Sequence, residues 1–410
     1  MDAVNHDWPG GRKAGLDRLG KYDPAGYGRR RNFLDAPVSY LSPYLRHGML
    51  SICEVRDWFK SRFAPELIEE LLRQLAWRDF FEKVMAWHGD RLNDDLEPAK
   101  HHVSRSEVLP GDIAEARTGL PCIDGMANSL FETGYLHNHE RLWMAAYLCH
   151  FRGIRWQVGA KLFREFLLDG DRASNSCSWQ WVESTFASKP YFMNKDNIAS
   201  FSNHRWCEGC HAKCPFDAPY ERLEQSLFAN RRAPLAHAGR PPGSSRLTLP
   251  IVQDYDSSIP AETRSIVWVH DAAMSAVDRA IVTNPDAMLV FVFDSREPWA
   301  EHRYRFIREG WVDLIDSVPN RHHAIAVGDP ATELERLARS TGCRDLHVSE
   351  HPNPVVRQTI RTLESHCQVT IHPRAIFAEY LDEPKRFSRY WEKVAPLVLG
   401  YRPRSGKKMR

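Results

Sequence analysis

"ANRRAPLAHAGRPPGSSRLTLP", Ala229 to Pro250, divides the chain into two stretches with different apolar patterns. It is rich in Pro, Gly, Arg and Ser and carries no hydrophobic period, so it reads as a connector, assigned here to residues 229–262. On its N-terminal side, from about Val38 to Phe228, apolar residues recur at helical spacing and strand-like alternation is lacking. "PELIEELLRQLAWRDFFEKVMAWHG" sets Pro65 and Glu66 in a first turn, repeats Leu67, Leu71 and Leu75, and stops at Gly89. "YLHNHERLWMAAYLCHF" reads the same way, as does "VGAKLFREFLLDG", which is expected to end at Gly170. On the C-terminal side, short apolar runs alternate with helical stretches such as "PATELERLARSTG". The runs are "SIVWVH" (265–270), "MLVFVFD" (288–294), "HAIAVGD" (323–329), "DLHVSE" (345–350) and "QVTIHP" (368–373), expected as buried parallel strands. The predicted fold is therefore an all-α domain over residues 1–228, then an α/β doubly wound parallel-sheet (Rossmann-like) domain over 263–410. Ligands of such sheets sit at the carboxyl ends of the strands, here around His270, Asp294, Asp329 and Glu350. Each of these serves equally well as a helix cap or loop polar residue, and no Gly-rich phosphate loop accompanies them.

The 410 residues carry a formal charge of +2, with 43% hydrophobic and 26% charged residues, so no global field demands a nucleic-acid or membrane partner. Any basic binding surface must be local. Residues 1–20 hold no apolar run of signal-peptide type, and no stretch of about 18 apolar residues occurs. A cytoplasmic location, no membrane partner and a monomer are expected. The final "RPRSGKKMR" reads as a basic tail.

Nine cysteines, three of them inside "CEGCHAKCPFD" (207–217), suit metal binding in a reducing compartment better than a disulfide framework. A zinc reading takes its fourth ligand from His204 or His211. An iron-sulfur reading needs a fourth thiolate, and a Cys-Pro ending is one mark of [4Fe-4S] runs. Cys53, Cys149, Cys177, Cys343 and Cys367 read as buried thiols.

"LLDGDRASNSCSWQW" (167–181) concentrates chemistry in the helical half: Asp169 and Asp171 flank Gly170 at a helix end, Asn175 follows, and Trp179 and Trp181 stand two apart. Such residues suit a large aromatic redox cofactor; they also suit a capped helix followed by an aromatic core. This stretch resembles the flavin-binding region of the photolyase and cryptochrome family, together with "VSYLSPYLRHG" (38–48), "QLAWRDFF" (74–81) and "TGYLHNHERL" (133–142). The blocks occur in family order over residues 27–228. The resemblance implies FAD in a U-shaped form within a helical domain. Carried over by position, it implies that Tyr27, Ser39, Leu41 and Ser42 hold the phosphates and that Gln74 and Arg78 lie along the cofactor. Asn138, Arg141, Asp169 and Asp171 would surround it, with Asn175 facing N5. Gln74, Trp77 and Arg78 are spaced i, i+3, i+4 and so share a helix face. Trp179 and Trp156 match the inner members of the family's electron relay, whose outer tryptophan has no counterpart near "AKHHVSRSEV" (99–108).

An iron-sulfur bacterial subgroup of that family places a Cys ahead of the His-Asn block, as Cys122 stands here, and later a Cys-x2-Cys and a Cys-Pro-Phe. The implied [4Fe-4S] ligands are Cys122, Cys207, Cys210 and Cys214, although the second and third lie closer together than that subgroup's pattern. The C-terminal half resembles the α/β domain that the family carries first, so the chain looks circularly permuted. "HDAAMSAVDRA" (270–280) stands where the family has a basic motif, which leaves an antenna chromophore undecided. Two functions follow from the resemblance. One is blue-light DNA repair on UV-damaged DNA, with Trp77 stacking on an extruded base and Asn138 and His139 contacting it. Arg46 and Arg29 to Arg31 would then reach phosphates. Gln74 and His139 stand where dimer-splitting enzymes carry Glu and Arg, which favours (6-4) photoproducts. The other is a cryptochrome-like photoreceptor acting through a signalling partner. A dark flavin and iron-sulfur oxidoreductase is a third, more distant reading with no donor-docking motif.

Overall fold

The computed structural model describes residues 8–101, 103–229, 238–242, 254–255 and 264–402. Most of the expected connector, and all but the first residue of the basic tail, lie outside these. No described helix is long and apolar enough to cross a membrane.

The helical half is built as its sequence pattern requires. Pro65 opens a helix over Pro65–His88, where its missing N–H and fixed φ cost nothing. Gly89 closes that helix at φ 57°, a conformation glycine adopts without a Cβ penalty. The 135–151 stretch forms a helix over Asn138–Ala146, begun by a capping box in which His137 and Glu140 exchange side-chain and backbone bonds. It continues as a π-helical turn over Tyr147–Phe151. The next helix runs Trp156–Phe166 and stops four residues before the expected Gly170. Asp171 begins a new helix, Arg172–Glu183, its carboxylate accepting from Ala173 N at 2.7 Å and Ser174 N at 3.2 Å. Asp169 and Asp171 therefore flank a turn between two helices.

The C-terminal half forms a six-stranded sheet: β1 (Asp254–Tyr255), β2 (Ser265–Val269), β3 (Met288–Asp294), β4 (His323–Gly328), β5 (Asp345–Ser349) and β6 (Gln368–His372). The order is β1-β4-β3-β2-β5-β6. β2 to β6 are parallel, and the two-residue β1, which falls within the expected connector, pairs antiparallel with β4. The order reverses between β2 and β5, giving the doubly wound switch point. Alternation does the rest. Val267, Val269, Leu289, Phe291 and Phe293 face the helical half, whereas Ile266, Trp268, Val290 and Val292 face the helices Pro330–Thr341 and Pro354–Leu363. β6 departs from the expectation of a buried strand: it is an edge, and most of its residues are exposed or half-buried.

The sheet face and the helical half share one core. Leu72, Phe80 and Phe59 belong to the same buried cluster as Phe291, Tyr390 and Val398. A final helix, Phe387–Leu399, leaves the sheet domain and packs on Pro65–His88, where Tyr390 Oη donates to buried Asp79 Oδ2 at 2.5 Å.

Candidate functional site

Segments from along the helical half enclose a cavity of about 290 Å³. Ser39, Leu41 and Ser42 come from the approach to the short helix Ser42–Arg46, and Tyr27 stands beside them. Gln74, Trp77 and Arg78 project from one face of Pro65–His88. Asn138 and Arg141 come from the first turn of Asn138–Ala146, Asp169 from the turn, and Asn175 and Trp179 from successive turns of Arg172–Glu183. Of the residues expected to hold the cofactor, all but Asp171 line this one space.

The polar groups are held in place by their other bonds. Arg141 Nη1 stands 2.9 Å from Asp169 Oδ1, and its Nε donates to Leu136 O. Burial alone would raise the Asp169 carboxyl, but the Arg141 charge and hydrogen bond, Ser42 and Arg78 outweigh it and hold the carboxyl below its ordinary range. Asn175 Nδ2 donates to Ala160 O at 2.7 Å. A carbonyl can only accept, so this bond orients the Asn175 amide and leaves its oxygen as an acceptor. Gln74 Nε2 likewise donates to Glu70 Oε1 at 2.7 Å, and Glu70 pairs with Arg31 at 3.1 Å. Arg78 has its nearest carboxylates, Glu82 and Asp171, only at 3.9 Å. Burial raises the Tyr27 hydroxyl to about 12, so it stays a neutral donor. Apolar walls from Leu45, Phe59, Leu75 and Phe163 complete a lining of convergent polar groups on an apolar surround, which fits a dinucleotide with an aromatic ring system.

Trp179 is buried against Phe163 at 5.0 Å, and its ring lies over Gly159, where a Cβ would stand 2.1 Å from Cη2. Trp156 is buried outside the cavity; its Nε1 donates to Asp95 Oδ1 at 2.6 Å beside a separate polar recess. His139 also lies off the cavity. Its ring packs 4.8 Å from Phe201, and burial, with His137 and Arg31, lowers it to about 4, so it is neutral at pH 7. Trp77 lines the cavity, yet one face of its indole is covered by Phe387 at 3.7 Å and 8°. No local signal marks Phe387 as a site residue; only the return of the last helix brings it there.

Cys122 is buried in the first turn of Pro121–Thr133. Gly125, one turn on, lets the Trp206 ring lie directly on this helix, which seats the loop carrying Cys207, Cys210 and Cys214 beside Cys122. Burial pushes the Cys122 thiol up to about 12, reinforced by the charges of Cys214 and Cys207; Cys207 is raised by burial and then by Cys214 and Cys210. Cys122 thus feels Cys207 and Cys214, and Cys207 feels Cys210 and Cys214. Their sulfurs do not form the compact set, all within 4.8 Å, that a single preformed metal-ion site shows among the described residues. That compact set is His101, His150 and Glu183, which spacing along the chain does not reveal. Arg105 Nη2 sits 3.1 Å from His150 Nδ1 and 2.9 Å from Glu183 Oε1, so a guanidinium already supplies its positive charge.

A second, open groove of about 560 Å³ runs along the carboxyl ends of β2, β5 and β6, with Arg279, Glu350 and Arg374 on the sheet side and Glu82 and Lys83 facing them. Of the strand-end polar residues, Glu350 lines this groove. Asp329 caps Pro330–Thr341 by accepting from Thr332 N at 3.1 Å. His270 and Asp294 border a smaller cavity at the seam of the two halves.

Residues 71–209 match a protein family described as the FAD binding domain of DNA photolyase. A deoxyribodipyrimidine photo-lyase of Neurospora crassa is 31% identical over 200 residues, 45% of this chain and 32% of that protein. Cryptochrome-1 of Erithacus rubecula is 31% identical over 205 residues, again 45% of this chain and 32% of the relative. This chain thus spans about a third of the length of these two relatives. Among solved structures, a Synechocystis cryptochrome is 25% identical, with a TM-score of 0.42 over 49% of this chain and 46% of that one. The family match lies wholly within the helical half.

Proposed function

We propose that this chain is an FAD-dependent, blue-light-driven DNA photolyase of the cytoplasm, acting on (6-4) photoproducts, with the domains of that family in swapped order. The observation that carries the proposal is the convergence of Tyr27, Ser42, Gln74, Arg78, Arg141, Asp169 and Asn175, scattered over the helical half, on one cavity. FAD, when bound, supplies light-driven one-electron chemistry. The chain's own residues bind and orient. Arg78, paired only loosely with Glu82 and Asp171 at 3.9 Å, would offer positive charge to phosphates with the hydroxyls of Ser39 and Ser42. The Arg141–Asp169 pair sets a fixed dipole along the wall, and the Asn175 side-chain oxygen would accept a hydrogen bond from a protonated ring nitrogen of FAD without adding charge. Trp179 borders the cavity and would be the first member of a relay continued by Trp156.

We further propose a [4Fe-4S] cluster on Cys122, Cys207, Cys210 and Cys214. What supports this reading is the packing of Trp206 on Gly125, which seats the loop carrying Cys207, Cys210 and Cys214 beside Cys122, so that the four thiolates would serve as the iron ligands.

One observation favours a cryptochrome-like photoreceptor instead: Phe387 covers the Trp77 face on which an extruded base would stack. The deciding experiment gives reduced, FAD-loaded protein two oligonucleotides, one with a cyclobutane dimer and one with a (6-4) photoproduct, under blue light and in the dark. Light-dependent restoration of the (6-4) lesion is the expected result. Restoration of the dimer alone reassigns the lesion, and no turnover despite bound, photoreducible FAD moves the function to signalling.

A further inference from the structure

Behind the turn that carries Asp169, at the seam between the two halves, lies the smaller cavity, of about 50 Å³. It sits under the carboxyl ends of β2 and β3 and is bordered by Arg46, Arg164 and Arg172 from the helical half and Arg303 from the sheet half. Four guanidiniums meet three carboxylates there. Asp271 pairs with Arg46 at 2.7 Å, and Glu297 with Arg172 at 2.7 Å and Arg164 at 3.3 Å. Asp294 is taken up by Arg296 at 2.8 Å.

Arg303 is left over. Only 2% exposed, it has no carboxylate within ion-pair distance among the described residues. It donates to the carbonyls of Arg164 and Gly170 and lies 4.5 Å over the Trp299 ring, while its Nε has no partner. A guanidinium carries five N–H donors, so most of Arg303's are unused. Burying such a cation without a counterion is unfavourable, and an anion in the cavity would offset that cost. Burial, then the neighbouring Arg46, lowers Arg303 to about 10, which Glu297 and Asp271 offset only in part, and Arg164 is lowered by burial and by Arg172 against the opposing pull of Glu297. The helix Pro354–Leu363 also begins at this cavity, with Asn353 and Val355 in the wall, and adds the positive end of its dipole.

We propose that this seam cavity binds one phosphate-class oxyanion, held by Arg303 with Arg46 and Arg172 and bridging the two halves of the chain. A space of this size takes one small oxyanion or a few waters and excludes a chromophore. The anion enters at the rim, where Arg172 and Glu297 reach solvent. It completes the charge balance that Asp271 and Glu297 leave unfinished.

The test titrates FAD-loaded full-length protein with inorganic phosphate by calorimetry and by thermal melting, against chloride at matched ionic strength. Wild type is expected to show saturable binding and a rising Tm. Arg303→Met is expected to weaken binding at least tenfold while keeping its flavin absorbance. Arg172→Gln, at the more exposed rim, covers the case in which Arg303→Met does not fold, and it too should weaken phosphate binding. A competing nucleoside monophosphate separates the sources: displacement of phosphate assigns the site to an esterified phosphate, and no displacement to the free ion. Equal stabilisation by chloride, or an unchanged phosphate response in Arg172→Gln, overturns the proposal. Flavin binding is read separately, so this outcome leaves the functional proposal standing.

Discussion

Replacing Phe387 by alanine tests whether the last helix is anchored over the cofactor cavity. The ring is buried, stacks on Trp77 at 3.7 Å and 8°, meets Phe80 edge-on at 5.8 Å, and lies under Arg73 at 5.8 Å. Truncating a buried Phe costs about 3–5 kcal/mol, of which the aromatic pairing contributes about 0.5–1.5. The loss falls on Phe387–Leu399, because the ring is the first residue of that helix and its contacts reach across to Pro65–His88. A cost of about 3 kcal/mol, felt as local opening, lowers hydrogen-exchange protection by about two decades. The amides to follow are Val394, Ala395 and Val398, all buried on the packed face. Protection in Phe387→Ala within threefold of wild type would refute the anchoring. The same variant bares the covered Trp77 face, so a gain in lesion binding would identify Phe387 as the obstacle to repair.

Gly159→Ala drives a Cβ into the buried Trp179 ring, which cannot swing away into solvent; about 1–3 kcal/mol of stability and a fall in FAD affinity are expected, read by denaturation and flavin absorbance. Cys122→Ser should abolish iron retention, and a variant that keeps iron in elemental analysis excludes the four-cysteine ligand set. Stability should fall on acidification between pH ~6.5 and 4, because burial lowers His47 to about 3 and His137, His139 and His150 to about 4. These histidines are neutral in the folded chain and take up protons on unfolding, so their contribution is complete above the unfolded pKa and lost as pH falls towards the folded values. A urea midpoint that stays flat from pH 7 to 4.5 would contradict this.

Period and punctuation made most of the fold legible. Pro65 and Gly89 bracket a helix because one lacks an N–H and the other lacks a Cβ, and both properties act locally. The strands were readable because burial on both faces demands unbroken apolar runs, as in "MLVFVFD". β6 was misread because an edge strand keeps the same composition while losing its cover. The helix end expected at Gly170 failed because Leu167 and Leu168 extend the apolar pattern through a turn that Asp171 then caps. The cavity lining was legible only through family resemblance, since nothing in local spacing brings Tyr27 to Asn175. Phe387, Arg303 and the set of His101, His150 and Glu183 were invisible for the same reason: each acquires its meaning from a partner on a distant element.

The shared core also dictates an order of assembly. Phe80 packs against Phe387 and Tyr390, and Leu72 shares a core with Val394 and Val398, all from a helix that a ribosome adds only after the whole sheet has been made. The helical half therefore emerges with the part of its apolar flank around Phe80 still uncovered. Long-range closure of this kind slows folding and leaves the flank open to chaperones and to mispairing with other nascent chains. The return of the last helix turns two consecutive domains into a single cooperative body, whose completion waits on its final helix.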